Sequence, residues 1–238
     1  MFRRTENFQT YLRLFPAVSV ISGLQIGIWL IMKLPFPIFT LLFALFSGYN
    51  AAIWSGEYWR IITPIFLHTS FSHLLMNTIT FAIFAPPLEK MLTSFRFVIA
   101  YLLIGMIANI ASLLIMPVDY IHVGASGAIF GLFGLHLYYF FHQKAYTVRK
   151  NAETILIIMV IALFFTFHHS NVNIVSHLAG LASGFLLAFI FSRKKQQFIH
   201  YTFYNQPKQK RKIKLLLKKY WLWVFVLMFL TAALLYAL

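Results

Sequence analysis

The sequence predicts an all-α polytopic membrane protein, and two features of its composition predict this class. Hydrophobic residues make up 61% of the 238 positions and charged residues only 11%, with a mean hydropathy of +0.78. So few charged side chains would hardly cover the surface of a soluble domain of this length. In addition, the apolar residues cluster in runs close to the roughly 20 residues that cross about 30 Å of hydrocarbon.

Seven of these runs are predicted to span the membrane. They cover residues 14–32, 73–88, 97–116, 124–142, 154–168, 174–192 and 220–238. Several are short or begin with polar residues, and polar groups inside a span are costly and indicate function. The stretch 38–46 has only nine apolar residues, so we expect an interfacial or partly embedded loop there and no additional span.

The basic residues set the predicted orientation. With the N-terminus in the cytoplasm, all of the 20 Lys and Arg except Lys33 and Arg60 lie in cytoplasmic segments. This distribution satisfies the positive-inside rule, and an eighth span at 38–54 would place the N-terminal arginines outside. We therefore attribute the net charge of +15 to basic residues that orient the chain in the membrane and contact anionic lipid. We expect no binding of nucleic acid.

The chain divides into three predicted parts. Residues 1–193 form a six-span core that includes an outer-leaflet loop at 33–60. Residues 194–219 form a basic cytoplasmic linker, and residues 220–238 form a seventh transmembrane helix. Since the chain has no cysteine, a disulfide framework, a thiolate nucleophile and a Cys-ligated metal are excluded.

A serine between glycines stands at the start of the fourth span, and a histidine stands at the start of the sixth. Both spans enter from the same side, so Ser126 and His177 are predicted at a similar depth. An imidazole is the usual base for a serine hydroxyl, because it takes up and returns a proton near neutral pH. Ser126 is therefore a candidate nucleophile.

Small residues follow both of these positions at helical spacing. They are Gly127, Gly131 and Gly134 in the fourth span, and Gly180 and Gly184 in the sixth. Such residues let two membrane helices approach closely, and a Ser–His hydrogen bond of about 2.6–3.2 Å needs that approach. The same pattern fits ordinary helix packing beside a buried histidine, and the pattern alone leaves both interpretations open.

The start of the second span supplies a third element. His73 and Asn77 stand at i and i+4 on one helical face. Together with the Ser126 backbone N–H, they are suited to donate hydrogen bonds to a developing oxyanion. A metal site at His68 and His73 and a plain interhelical hydrogen bond are alternatives. No third ligand or carboxylate is well placed, so we expect neither a metal nor a cofactor.

Together these residues resemble the rhomboid family of intramembrane serine proteases. The matching segments are GASG at 124–127, SHLAG at 176–180 and HLLMN at 73–77, with Trp59-Arg60 in the outer loop and Glu89 just past the second span. The resemblance covers about residues 50–192 in the family's order. It implies a rhomboid-like six-helix bundle, here with one additional C-terminal transmembrane helix, in a bacterial plasma membrane.

The resemblance also implies an activity. The protein would hydrolyse peptide bonds in or near the transmembrane helices of single-span proteins, at a site that opens to the outer side. Ser126 would attack the scissile carbonyl, and His177 would act as general base and then as acid. Asn77, His73 and the segment around Gly124 would support the oxyanion.

Two further positions follow from the same resemblance. Phe130 stands where some relatives have a Tyr that stacks on the histidine, and Trp59 and Arg60 belong to a structured first loop. A catalytically inactive relative that binds transmembrane helices is the alternative function, and the presence of both Ser126 and His177 argues against it. A small transporter would predict internal repeats, and we find no convincing one.

Other polar residues near the outer surface match no motif. We expect His122, His168 and His169 to be interfacial. A second group stands near the start of the second span and is a candidate for lining a water-filled cavity: His68, Thr69, Ser70, Ser72 and Thr78.

Overall fold

The structure, a computed structural model, describes residues 7–142, 157–162 and 172–192. Its α-helices are α1 (Phe8–Leu14), α2 (Pro16–Met32), α3 (Pro37–Phe46), α4 (Asn50–Trp54), α5 (Phe71–Leu92), α6 (Ser94–Ile115), α7 (Ser126–His142) and α8 (Ile174–Ser192). Residues 157–162 are also helical. Two short 3-10 helices, Tyr58–Ile61 and Thr63–Phe66, and an antiparallel ribbon of β1 (Gly48–Tyr49) and β2 (Ile121–His122) join the helices on one side.

The described helices confirm the predicted all-α membrane class. Helices α5, α6 and α8 are each long and apolar enough to cross a membrane, and α1 with α2 meets the same criterion as a pair bent by 109°. Most of the predicted span at 154–168 lies outside the described residues. The linker at 194–219, the seventh helix at 220–238, and His168 and His169 also lie outside them.

Helix α5 is longer than its predicted span of 73–88. The helix begins at Phe71 and continues to Leu92, and two prolines, Pro86 and Pro87, lie inside it. A proline leaves the carbonyl four residues earlier without its helical donor. For Pro86 this is the carbonyl of Ala82, which accepts a hydrogen bond of 3.5 Å from the Tyr11 hydroxyl. Contacts from neighbouring segments therefore compensate part of the cost of the prolines.

This extension places Glu89 inside α5, which corrects its predicted position past the span. The buried carboxylate accepts hydrogen bonds from the backbone N–H groups of Ala17 and Val18, at 2.9 and 3.0 Å, and from the Ser94 hydroxyl at 2.6 Å. Helix α2 has no side-chain cap of its own at this end. A carboxylate at a helix N-terminus satisfies free N–H groups and interacts favourably with the helix dipole.

The apolar stretch 38–46 forms a helix, so the predicted loop is wrong in its local structure. Helix α3 begins at Pro37, a residue favoured in the first helical turn. It has ten residues and none of them is buried. At about 1.5 Å per residue such a helix is too short to cross a bilayer.

Trp59 and Arg60 hold the C-terminal end of α3. Arg60 Nη1 donates to the carbonyls of Ala44 and Ser47 at 2.6 and 2.8 Å, and Trp59 Nε1 donates to the Leu45 carbonyl at 3.2 Å. A cation is favourable at a helix C-terminus, where carbonyls lack donors. Arg60 is itself buried and lies 2.7 Å from the Glu57 carboxylate, so it is not a solvent-facing cation.

Helices α7 and α8 pack backbone against backbone through glycines. A Cβ atom added at Gly180 would overlap the carbonyl oxygen of Gly127, and one at Gly184 would overlap that of Gly131. Gly134 likewise faces the backbone of Leu181. Larger residues at these positions would force the helices apart, which would separate the two ends where Ser126 and His177 stand.

Candidate functional site

A cavity of about 410 Å³ lies between the starts of three helices and the β-ribbon. Its wall includes Ser126, His177, His73, Asn77 and Phe130, all of which the sequence singled out. Ser126 is the first residue of α7, while His73 and His177 lie in the first turns of α5 and α8. The fold therefore brings residues separated by up to about a hundred positions into one cavity.

Ser126 begins its helix directly after a constrained turn. Gly124 has φ +131°, a conformation that residues with a Cβ atom rarely adopt. Its N–H donates to the Pro64 carbonyl at 2.9 Å. A Cβ atom at Gly124 would lie 2.8 Å from the His73 ring and 3.8 Å from Ser126 Oγ. Gly124 thus fits closely between His73 and the serine.

His177 is held by an aromatic ring and by the start of its own helix. Its imidazole is buried and stacks on Phe130 with ring centroids 4.1 Å apart and planes inclined by 15°. The Asn173 side chain caps α8 by accepting from the Ser176 N–H at 2.9 Å, and it donates to Ser112 Oγ of α6 at 2.8 Å. The sequence analysis missed Asn173, although an Asn at this position is a recognisable helix-capping signal.

Asn77 and His73 are linked through their helix. The Asn77 Nδ2 donates to the His73 carbonyl at 2.9 Å, and the side chain faces the cavity. An Asn amide carries two N–H donors, so this bond leaves one donor for a group in the cavity. The His73 ring nitrogen Nδ1 lies 3.4 Å from Thr69 Oγ1.

His68 lies behind His73 and does not line the cavity. The two rings meet edge to face with centroids 5.1 Å apart, and His68 is only 2% exposed. Burial, with a smaller contribution from His73, lowers the pKa of His68 to about 3. Within the part of the chain that the structure describes, no three His, Cys, Asp or Glu side chains converge as metal ligands.

The predicted polar lining of the cavity is largely wrong. Of the five candidates, Thr69 lies in the wall, whereas His68, Ser70, Ser72 and Thr78 do not. Ser70 is instead the N-cap of α5, where its hydroxyl accepts from the His73 N–H at 3.2 Å. Helix capping turns this side chain toward the backbone and away from the cavity.

His122 is a cavity residue that the sequence analysis placed at the interface. Strand β2 pairs it with Gly48, and its ring lies so close that a Cβ atom at Gly48 would overlap it. Both ring nitrogens are buried, and burial lowers the pKa of His122 to about 4. The pairing of two segments more than 70 residues apart creates this environment, and no motif in the sequence indicated it.

Comparison with known proteins identifies the same region of the chain. The family model described as "Rhomboid domain" matches residues 55–194. A Bacillus subtilis (strain 168) protein named "Putative rhomboid protease YdcA" is 44% identical over 197 residues, which cover 83% of this chain and 99% of that protein. "Rhomboid protease GluP" of the same organism is 39% identical over 139 residues, or 58% of this chain and 27% of that protein.

The similarity extends beyond bacteria. "RHOMBOID-like protein 1" of Arabidopsis thaliana is 32% identical over 156 residues, which cover 65% of this chain and 39% of that protein. The region matched by the family model contains α5, α7 and α8, whose N-terminal ends line the cavity.

Proposed function

Because this chain belongs to the rhomboid family, whose members are generally intramembrane serine proteases, we propose that it is an intramembrane serine endopeptidase with a Ser126–His177 dyad. The observation that carries the proposal is the shared cavity, whose wall contains both Ser126 and His177 at the starts of two tightly packed helices. The Phe130 ring, stacked on His177, supports a defined position of the imidazole.

The proposed substrates are single-span membrane proteins, cut in or near their transmembrane helix. A helical substrate has its carbonyls hydrogen-bonded internally, so a short segment must unwind to reach Ser126. The serine Oγ attacks the scissile carbonyl while His177 accepts its proton and then passes it to the leaving amine. A water molecule, deprotonated by His177, hydrolyses the acyl-enzyme and restores the serine.

The tetrahedral intermediate needs hydrogen-bond donors. Three are available in the cavity wall: the Ser126 N–H at the start of α7, the second Asn77 amide hydrogen, and the His73 ring. The close fit of Gly124 against the His73 ring supports a fixed distance between this donor and the serine. Donors already oriented before the reaction contribute most to transition-state stabilisation.

The proposal extends to the placement of the chain in the membrane. The N-terminus lies in the cytoplasm, the active site opens to the outer side, and the basic linker 194–219 binds anionic lipid headgroups between the six-span core, 1–193, and the seventh helix, 220–238. The distribution of Lys and Arg along the sequence supports this orientation.

A fluorophosphonate probe, which reacts with activated serines, tests the nucleophile directly. The detergent-solubilised protein should label, whereas Ser126→Ala should neither label nor cleave a single-span substrate. Ser183→Ala is a matched control, because Ser183 is another buried serine, whose hydroxyl donates to the Gly180 carbonyl at 2.9 Å. Labelling of Ser126→Ala at the wild-type rate would refute the assignment. A wild-type protein that binds transmembrane helices without labelling would favour the inactive-relative alternative.

A further inference from the structure

We propose that Gln25 is a positioning residue for this active site. It acts indirectly, because it holds the 3-10 helix Thr63–Phe66, which in turn holds the Gly124 peptide. The inference rests on the proposed function. Gln25 belongs to no motif of the sequence analysis, and it lies in α2, a helix that contributes no residue to the cavity wall.

The first link joins Gln25 to the 3-10 helix. Gln25 is completely buried, and its Nε2 donates to the Ile65 carbonyl at 3.2 Å and to the Tyr101 hydroxyl oxygen at 3.1 Å. Non-helical backbone at membrane depth is tolerated only where its polar groups find partners inside the protein. Gln25 supplies such a partner to a segment that lacks the regular hydrogen bonds of an α-helix.

The second link joins the 3-10 helix to the loop before Ser126. The carbonyl of Pro64, the residue next to Ile65, accepts the Gly124 N–H at 2.9 Å. Ile65 is also fixed through its side chain, which packs so closely on Gly105 of α6 that a Cβ atom there would overlap it. A shift of this 3-10 helix would therefore also move Gly124, because the two are joined by a hydrogen bond.

The third link is the position of Gly124 itself. It stands two residues before Ser126, and its backbone lies between the Pro64 carbonyl and the His73 ring. Displacement of Gly124 would change the position of the nucleophile and of one proposed oxyanion donor together. Shifts of about 1 Å in a catalytic group can lower turnover by about 10²-fold, so even a partial shift should be measurable.

Gln25→Leu removes the donor while keeping most of the side-chain volume. We expect kcat to fall by about tenfold, since the Ile65 carbonyl must move to find another donor, as buried carbonyls require. KM should stay within about twofold, because Gln25 does not face the cavity that receives substrate. The rate of fluorophosphonate labelling per folded molecule should fall in parallel with kcat.

The chain offers a matched control. Asn109 Nδ2 of α6 donates to the Ile61 carbonyl at 2.9 Å, which is the same kind of buried amide contact with the neighbouring 3-10 helix. Asn109→Leu should lower the melting temperature about as much as Gln25→Leu, but it should leave kcat near the wild-type value. A similar loss of kcat in both variants would show that general loosening is responsible, and it would overturn the proposal.

A conservative variant keeps the test decisive if Gln25→Leu does not fold. Gln25→Glu preserves the shape of the side chain, and as a neutral acid it retains one O–H donor. We expect it to keep most of the wild-type kcat, and a folded Gln25→Glu with a kcat as low as that expected for Gln25→Leu would refute the positioning role. Unchanged labelling in Gln25→Leu, with no labelling in Ser126→Ala, would refute the Gln25 role and leave the dyad standing.

Discussion

At the residue scale, the His177 imidazole is oriented by contacts on its face and at the start of its helix. Phe130 covers one face of the ring, and the Asn173 cap fixes the first turn of α8. A general base works only if its nitrogen stays within hydrogen-bond distance of the hydroxyl, so contacts that restrict its rotation assist catalysis. Aromatic pairs of this kind contribute about 0.5–1.5 kcal/mol beyond the area that they bury.

Phe130→Ala should therefore reduce kcat/KM, by about 2- to 10-fold if the pair energy is lost in the transition state. Phe130→Tyr should remain close to the wild-type protein, because the ring face is preserved. Cleavage kinetics on a single-span substrate in detergent measure both variants. Equal activity of Phe130→Ala and the wild-type protein would show that the stacked ring does not orient the base.

Asn77 and His177 should differ in the size of their effects. Asn77→Ala removes one of several oxyanion donors, so we expect cleavage to slow by about 10²-fold or less. His177→Ala removes the base, and we expect no measurable turnover. Initial rates of substrate cleavage compare the two variants, and mild effects of equal size in both would contradict the dyad.

At the element scale, the glycine contact between α7 and α8 sets how closely the two residues of the proposed dyad approach. Gly180 and Gly184 face backbone carbonyls of the opposite helix, where no larger residue fits. Gly23 and Gly27 of α2, by contrast, have no atom within 4 Å of the place that a Cβ would occupy. The same residue type thus has different roles in two helices of one chain.

This difference yields a paired prediction. Gly180→Ala should destabilise the protein by at least the ~1–3 kcal/mol typical of overpacking, because backbone rather than a flexible side chain must move. Gly27→Ala should be neutral or slightly stabilising, since alanine favours helix by about 1 kcal/mol over glycine. Thermal unfolding in detergent measures both. Equal stability of the two variants would mean that α7 and α8 are not held at this distance.

At the scale of the whole molecule, non-helical segments connect the helices beside the cavity. The β-ribbon pairs residues 48–49 with 121–122, and the Asn50 N–H donates to the Tyr120 carbonyl at 3.1 Å. His68 and the ring nitrogens of His122 are buried within these connections, and their low pKa values keep both rings neutral at pH 7. Protonation of these two histidines is therefore coupled to unfolding of the protein.

This coupling predicts loss of stability in acid. In the unfolded chain both pKa values return to about 6.5, while in the folded protein they are about 3 for His68 and about 4 for His122. As the pH falls from about 6.5 toward 4, the unfolded chain binds protons that the folded protein does not. The free energy of unfolding should be constant above pH 7 and should decrease over this interval.

Melting temperatures measured between pH 8 and pH 4 test the prediction. His122→Phe keeps a planar ring but cannot bind a proton, so it should show a shallower decrease than the wild-type protein. The same slope in both proteins would show that His122 is not the titrating group.

Local patterns were enough to predict much of the fold. The positions of α2, α5, α6, α7 and α8 follow from apolar runs, because a bilayer requires about 20 such residues in a helix. The continuation of α5 beyond its two prolines to Leu92 could not be predicted in this way. It is consistent with contacts such as that of Tyr11 with the carbonyl of Ala82, which only the tertiary structure provides.

The sequence by itself determined the membrane class, the positions of the long helices and the residues that carry the proposed chemistry, since residue type and helical spacing are local properties. The tertiary structure decided which buried polar groups meet: Glu89 with the start of α2, His122 with Gly48, and Gln25 with the turn that holds Gly124. These contacts join segments up to 74 positions apart. Inside a membrane every backbone polar group needs a partner within the protein, and which residue supplies it depends on how the helices pack.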